Sequence, residues 1–215
     1  MEHERALREF TVQSAQEIGV TLGDAHVDQF MSYLDQLLEW NKIINLTAIT
    51  DQREIIAKHF IDSLSALAAT VFPPNAVVLD VGSGAGFPGI PLKIVRSDLK
   101  LVLIEPVQKK CSFLRFMTGL LRLKDAAAFE GTIEQYMERP LYPSADAVMI
   151  RAIRLEGVRD VAIRLLSNGG KFVLYRTEPI NQQEIGTALT LETEKALKLP
   201  GGYGQRVVSV LTKSR

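Results

Sequence analysis

The segment Val77-Val78-Leu79-Asp80-Val81 runs straight into Gly82-Ser83-Gly84-Ala85-Gly86-Phe87-Pro88-Gly89, and nothing else in the chain restricts its fold so tightly. A short, almost wholly apolar run of this kind reads as a strand buried on both faces of a parallel sheet. The glycines that follow lack a Cβ, so the backbone can turn sharply and come close to a ligand at the strand's carboxyl end. One acidic residue, Glu105, ends the next apolar run, Leu101-Val102-Leu103-Ile104, where its carboxylate can accept hydrogen bonds from a ribose diol. The layout predicts a site for a nucleoside-containing cofactor.

Around this segment the chain divides into two rhythms. Residues 1–72 read as helices: Leu7, Phe10 and Ile18 share a face ahead of Gly19. Thr21 and Asp24 have capping-box spacing before Val27, Phe30, Met31, Leu34, Leu37 and Leu38. A third helix is predicted from Thr50 or Asp51, carrying Ile55, Ile56, Phe60, Leu64 and Leu67 and ending before Pro73-Pro74. Residues 73–215 alternate short apolar runs (77–81, 101–104, 126–129, 147–150, 171–175 and 206–211) with helical stretches near Pro91 and from about Pro106 to Leu123. Buried runs alternating with helices predict an α/β fold, a Rossmann-like and mostly parallel sheet with helices on both faces, behind an N-terminal helical extension.

Composition narrows the function classes. The charged amino terminus has no apolar stretch behind it, and no run approaches the roughly 18 apolar residues of a membrane span. A single cysteine, Cys111, rules out an internal disulfide and makes a cysteine-based metal site implausible, so a reducing, cytoplasmic setting is expected. The zero net charge conceals an asymmetry: residues 1–72 hold 5 Lys/Arg against 11 Asp/Glu, a net of −6, and residues 73–215 hold 20 against 14, a net of +6. A basic portion of catalytic size permits a polyanionic partner without demanding one.

Two cofactor classes fit a glycine turn followed by a spaced acid. Gly84, Gly86 and Gly89 match the dinucleotide pattern G-x-G-x-x-G, with Glu105 at about the ~20-residue spacing of that fingerprint. Counted from the first glycine, Gly82, the third position is Phe87, and Pro88 interrupts the point where a phosphate-binding helix would offer free N–H groups. An acid two positions before G-x-G-x-G instead resembles motif I of the class I methyltransferases, which bind S-adenosyl-L-methionine (AdoMet) and have no pyrophosphate to cradle. The second class is favoured.

Further segments make the resemblance specific. Trp40-Asn41, Asn45-Leu46-Thr47-Ala48-Ile49, His59 with Asp62-Ser63-Leu64, Asp80 through Pro91, Lys109-Lys110 with Phe113-Leu114, Arg151-Ala152 and Gly169-Gly170 occur in this order. The chain closely resembles, over nearly its whole length, the GidB family, the ribosomal RNA small subunit methyltransferases G. The resemblance implies AdoMet-dependent methylation of N7 of a guanine, position 527 of bacterial 16S rRNA. It also implies that Gly82, Gly84, Gly86 and Phe87 belong to the cofactor loop, that Glu105 is the ribose ligand and that Ile133 and Glu134 lie near the adenine. Arg151, similar to the arginine that reaches the active cleft, is implied as a further cofactor-binding residue, and His59 becomes a candidate for lining the cleft. Ile150 stands where a serine is common, Pro106 likewise, and Arg176-Thr177 where Lys-Gly is usual; these departures bear on RNA contacts more than on the cofactor.

The chemistry needs no dedicated catalytic residue. Guanine N7 carries an in-plane lone pair and no proton to remove, so the work is alignment of sulfur, methyl and nitrogen around an unstacked base. Without the resemblance, Asn45 and Thr47 would simply cap or bridge helices, and His59 with Asp62 would be a surface hydrogen-bonded pair. Lys109, Lys110, Arg115, Arg122 and Lys124 read as the solvated face of a helix or as phosphate contacts. Phe113, Met117 and Leu120 read as its core, with Cys111 a buried, non-nucleophilic residue. The expected partner is 16S rRNA, free or within the 30S subunit, approached by a monomer. A nicotinamide-dependent oxidoreductase and a non-catalytic AdoMet- or RNA-binding module remain the alternatives.

Overall fold

The computed structural model describes residues 2–139 and 144–213. Helix α1 (Glu2–Glu17) ends against Gly19, whose φ of 80° lets the chain reverse. Helix α2 (Asp24–Ile44) starts one residue after Gly23, whose N–H donates to Nδ1 of His26 at 3.2 Å. Thr21 therefore lies outside the helix and does not cap it, contrary to the spacing argument. The predicted third helix does begin at Asp51, whose carboxylate accepts the Glu54 N–H at 2.8 Å. It is not regular, however: Gln52–Ile55 passes into a π-helical stretch, Ile56–Ile61, before Asp62–Leu64 and Ala66–Ala69.

Seven strands form one sheet among the described residues: β1 (Val77–Val81), β2 (Lys100–Glu105), β3 (Ala126–Glu130), β4 (Ala145–Arg151), β5 (Leu166–Arg176), β6 (Leu189–Lys198) and β7 (Gln205–Lys213). Their order is β3-β2-β1-β4-β5-β7-β6; the first five are parallel, and β7 runs antiparallel to both its neighbours. The chain leaves β1 in one direction through β2 and β3 and returns to its other side as β4. The carboxyl ends of β1 and β4 thus flank the switch point where open α/β sheets bind ligands.

Alternation along the strands divides the core into two layers. Val78, Leu103, Met149, Val173 and Val210 pack with Leu7, Val27, Phe30, Leu34, Phe60 and Leu64 of the amino-terminal helices and with Phe113 and Met117. On the other face, Leu79, Val81, Val148, Ile150, Phe172 and Leu174 pack with Ile133, Tyr136, Ala162 and Leu165. The amino-terminal helices therefore supply a layer over the sheet itself. On the helix Gln108–Leu120 the inward positions are Cys111, Phe113, Leu114 and Met117, continued by Leu121, four residues past Met117. Leu120, predicted as core, faces outward at 46% exposure because it falls off that i, i+4, i+8 stripe. Strand β6 was not legible as a strand. It is an edge strand, and of its residues only Leu189 is buried.

Candidate functional site

The loop after β1 is built from its own hydrogen bonds. Gly82 and Ser83 N–H groups both donate to the Ile104 carbonyl, at 2.8 and 3.1 Å, and the Ser83 hydroxyl returns to Asp80 O at 2.9 Å. Gly82, Gly84 and Gly86 all have positive φ (66°, 58° and 96°), a conformation that side-chain-bearing residues adopt at a cost. A Cβ on Gly82 would lie 2.2 Å from Ile153 Cδ1, so that backbone is pressed directly against the residue after next to Arg151. The Tyr33 hydroxyl, from α2, donates to Ala85 O and holds the outer bend.

The next helix, Gly89–Val95, offers no spare donor for a phosphate. Pro88 and Pro91 have no N–H, Gly89 donates to Asp80 Oδ2 at 2.9 Å, Ile90 to Gly86 O at 2.8 Å and Leu92 to Pro88 O at 3.3 Å. A helix start already neutralised by its own carboxylate is a poor pyrophosphate site. Asp80 is fully buried, and its second oxygen, Oδ1, has no hydrogen-bond partner among the described residues. Burial pushes its carboxyl up to about 7, against the opposing pull of the Gly89 N–H and of Arg151.

Glu105 is also buried, and both its oxygens hold backbone: Oε2 accepts Gly84 N–H at 2.8 Å and Oε1 accepts Val107 N–H at 2.9 Å. Each oxygen retains a second lone pair, so the carboxylate positions the loop and can still accept a hydroxyl. A small cavity of about 140 Å³ opens beside it, lined by Gly82, Pro106, Gly131, Ile133, Glu134 and Ile153 among others. Gly82, Ile133 and Glu134 thus come together. Pro106 lies on this cavity as well, beside Gly82 and Ile133. Ile150 does not line it, being buried in the second core layer.

Phe87 goes elsewhere. It is buried, stacks on His59 (centroids 4.7 Å apart, 19° between planes) and on Tyr33 (5.4 Å), and carries the Arg151 guanidinium 5.0 Å above its ring. It does not line the small cavity, because the turn at Gly86 directs its ring toward the amino-terminal helices.

His59 and Arg151 face a larger cleft of about 770 Å³, with Lys58, Ile153, Tyr175, Arg176, Thr177, Tyr203 and Arg206 also on its walls. Burial, aided by Arg151, drives the His59 imidazole down to about 3, so it is neutral at any physiological pH. The Thr47 hydroxyl sits 2.8 Å from His59 Nε2, and Asn41 secures that loop by accepting the Leu46 and Thr47 N–H groups. Asn45 forms the left-handed end of α2. Of the capping or bridging roles expected of Asn45 and Thr47, Asn45 thus caps α2 and Thr47 bridges to His59.

Asp62 corrects the surface-pair reading. It is fully buried and accepts Arg151 Nη1 at 3.0 Å and Arg206 Nη2 at 2.7 Å, with Arg206 Nε also donating. Arg151 Nη1 further donates to Lys58 O at 3.1 Å. The π-helical stretch turns both His59 and Asp62 inward, toward the carboxyl end of β4 and the first residues of β7. Sequence pattern alone does not mark Arg206 as a site residue. Its only signal was its place at the head of an apolar strand, which is informative once that strand is known to run antiparallel and so begins at the ligand-binding edge.

The fold is that of the class I methyltransferases. Among solved structures, the M. jannaschii TYW2 in complex with AdoMet superposes with a TM-score of 0.55 at 16% identity, covering 78% of this chain and 80% of that one. A Klebsiella pneumoniae protein described as a putative O-methyltransferase gives 0.56 at 17%, covering 85% and 90%.

The chain belongs to the rRNA small subunit methyltransferase G family, whose profile matches residues 26–208. Proteins named ribosomal RNA small subunit methyltransferase G are 33% identical in Clostridium botulinum (92% of this chain, 81% of that protein) and 36% identical in Acetivibrio thermocellus (94% and 81%). The Staphylococcus carnosus protein of that name is 32% identical (95% and 90%).

Proposed function

We propose that this chain transfers the methyl group of AdoMet to N7 of a guanine in 16S rRNA, acting as a monomer on the 30S particle in the cytoplasm. The observation that carries the reading is the junction at Ile153. This one side chain lines both the small cavity beside the glycine turn and the large cleft under His59 and Arg151. A cofactor held at the first and a base inserted in the second would meet there.

The residues present fit AdoMet. The bare Gly82 backbone, the orphaned and buried Asp80 oxygen and the Glu105 carboxylate form an acidic, donor-poor cradle suited to a cation and a ribose. The same features disfavour a nicotinamide dinucleotide, whose pyrophosphate needs the N–H groups that Gly89 and Ile90 have already spent. AdoMet, when bound, supplies an electrophilic methyl on a sulfonium. The chain's own contribution is positioning: Gly82 gives close backbone approach, Glu105 holds the loop, Ile133 and Glu134 bound the adenine end, and Arg151 and neutral His59 face the base. No proton is removed from N7, and a neutral imidazole adds no repulsion to the positive charge of the product ring, while the Arg151 charge is paired with Asp62. Gly84 and Gly86 shape the turn, while Phe87 acts through the ring stack beneath His59 and Arg151.

The deciding experiment incubates the protein with labelled AdoMet and 30S subunits from a strain lacking the family's enzyme, then maps the label by nuclease digestion. Label at N7 of a single guanine is the expected result. AdoMet binding without transfer would leave only a binding module, and no AdoMet binding would overturn the reading.

Asp80 makes the cofactor site pH-dependent. Its ionised form is the one that attracts a cation, so AdoMet affinity should fall below pH 7, approaching about tenfold per pH unit. The same shift works in the opposite sense on the ligand-free protein. A carboxyl whose pKa is higher folded than unfolded binds more protons when folded, so stability declines as pH rises from about 4 to about 7. Calorimetry and thermal melts between pH 5.5 and 8.5 check both, and Asp80→Asn should flatten each profile, weakening AdoMet above about pH 7, where the parent carboxylate is ionised, and converging on the parent below it. A wild-type affinity independent of pH would remove Asp80 from the site.

A further inference from the structure

The hairpin loop between β6 and β7 has a form that packing alone does not require. Leu199 N–H donates to Gly204 O at 2.8 Å and closes a tight Pro200-Gly201-Gly202-Tyr203 turn in which Gly201, Gly202 and Gly204 all have positive φ (67°, 76° and 105°). The turn delivers one large side chain, Tyr203, to the cleft that Arg151 and Ile153 also line. Its ring is seated on backbone: a Cβ on Gly201 would lie 2.9 Å from Tyr203 Cε2 and 3.4 Å from Phe10 Cζ behind it. Lys58 Nζ stands 6.0 Å from the ring centroid, and Arg206, three residues later, lines the same cleft. Tyr203 is only half-buried, and its hydroxyl has no hydrogen-bond partner among the described residues.

A seated aromatic ring, open to a cleft that Arg151 and Arg206 also line, two guanidinium groups sharing the single Asp62 carboxylate and so leaving one positive charge in excess, is the arrangement that single-stranded nucleic acid uses: a π-face for a base beside positive charge for its backbone. We infer that Tyr203 is the platform on which a base of the substrate RNA strand stacks at the cleft mouth, a substrate-binding element of this chain distinct from the cofactor loop. The inference rests on the rRNA methyl-transfer reading above.

Steady-state methylation of unmodified 30S subunits by the full chain tests it. Tyr203→Leu keeps apolar bulk but loses the π-face, and should raise KM for 30S about 10- to 100-fold with kcat and AdoMet affinity nearly unchanged, the signature of lost uniform binding. Tyr203→Phe and Tyr203→Trp should both retain a KM close to that of the parent. Equal KM values for parent and Tyr203→Leu would overturn the platform while leaving the methyl-transfer reading intact. So would a Tyr203→Leu protein that loses AdoMet affinity and melting temperature together, since that marks a structural role. A parent protein that methylates nothing removes the reading and the platform together.

Discussion

A Gly82→Val protein should bind AdoMet at least about 100-fold more weakly than the parent, about 2.7 kcal/mol, while remaining folded. Two effects add. The position has φ of 66°, where a β-branched residue is strained by about 1–3 kcal/mol, which lowers stability. The new Cβ also falls 2.2 Å from Ile153 Cδ1. Ile153 can swing away, but it lines both the small cavity and the cleft, so it moves into space that cofactor or base would use. Gly84→Ala separates the two effects. Its Cβ meets nothing nearer than Gly82 O at 3.9 Å, so it should show the strain with little loss of affinity. Isothermal calorimetry beside thermal melts provides the comparison. Undiminished AdoMet affinity in folded Gly82→Val would mean that the cofactor lies elsewhere.

Replacing Asp62 with alanine should destabilise the protein by about 3–5 kcal/mol, the usual result of removing one partner from a buried ion pair. The Asp62 carboxylate is fully buried, and its two arginines are only 14% and 15% exposed. Without it, two guanidinium groups are left facing each other in a poorly solvated place. Arg206→Gln should be milder, because Arg151 still neutralises Asp62, and Asp62→Asn should fall between, since it keeps an acceptor but loses the charge. Urea denaturation would order the three variants. An Asp62→Ala midpoint shift worth less than about 1 kcal/mol would show that the arginines find water instead.

How far the site could be read depended on the distance over which each feature is encoded. The β1 strand, the turn at Gly82, Gly84 and Gly86 and the acid Glu105 are local backbone grammar, and all occupy the expected places. Asp51 as a helix start was legible for the same reason. Phe87 was read with its loop neighbours, yet its ring belongs to the layer formed with Tyr33 and His59, from elements more than twenty residues away. Strand β6 escaped because an edge strand needs little apolar side-chain pattern: its order comes from pairing with β7.

Periodicity and glycine placement by themselves determined the α/β alternation, the sharp turn after β1 and the acid at the end of β2, because each follows from the φ/ψ range and burial of neighbouring residues. Only the tertiary structure decided that Asp62 is buried between Arg151 and Arg206, 144 residues from the latter, and that a neutral His59 rests on Phe87. Charge pairing and ring stacking are set by which strand ends meet, and the π-helical stretch Ile56–Ile61 and the antiparallel β7 decide that meeting.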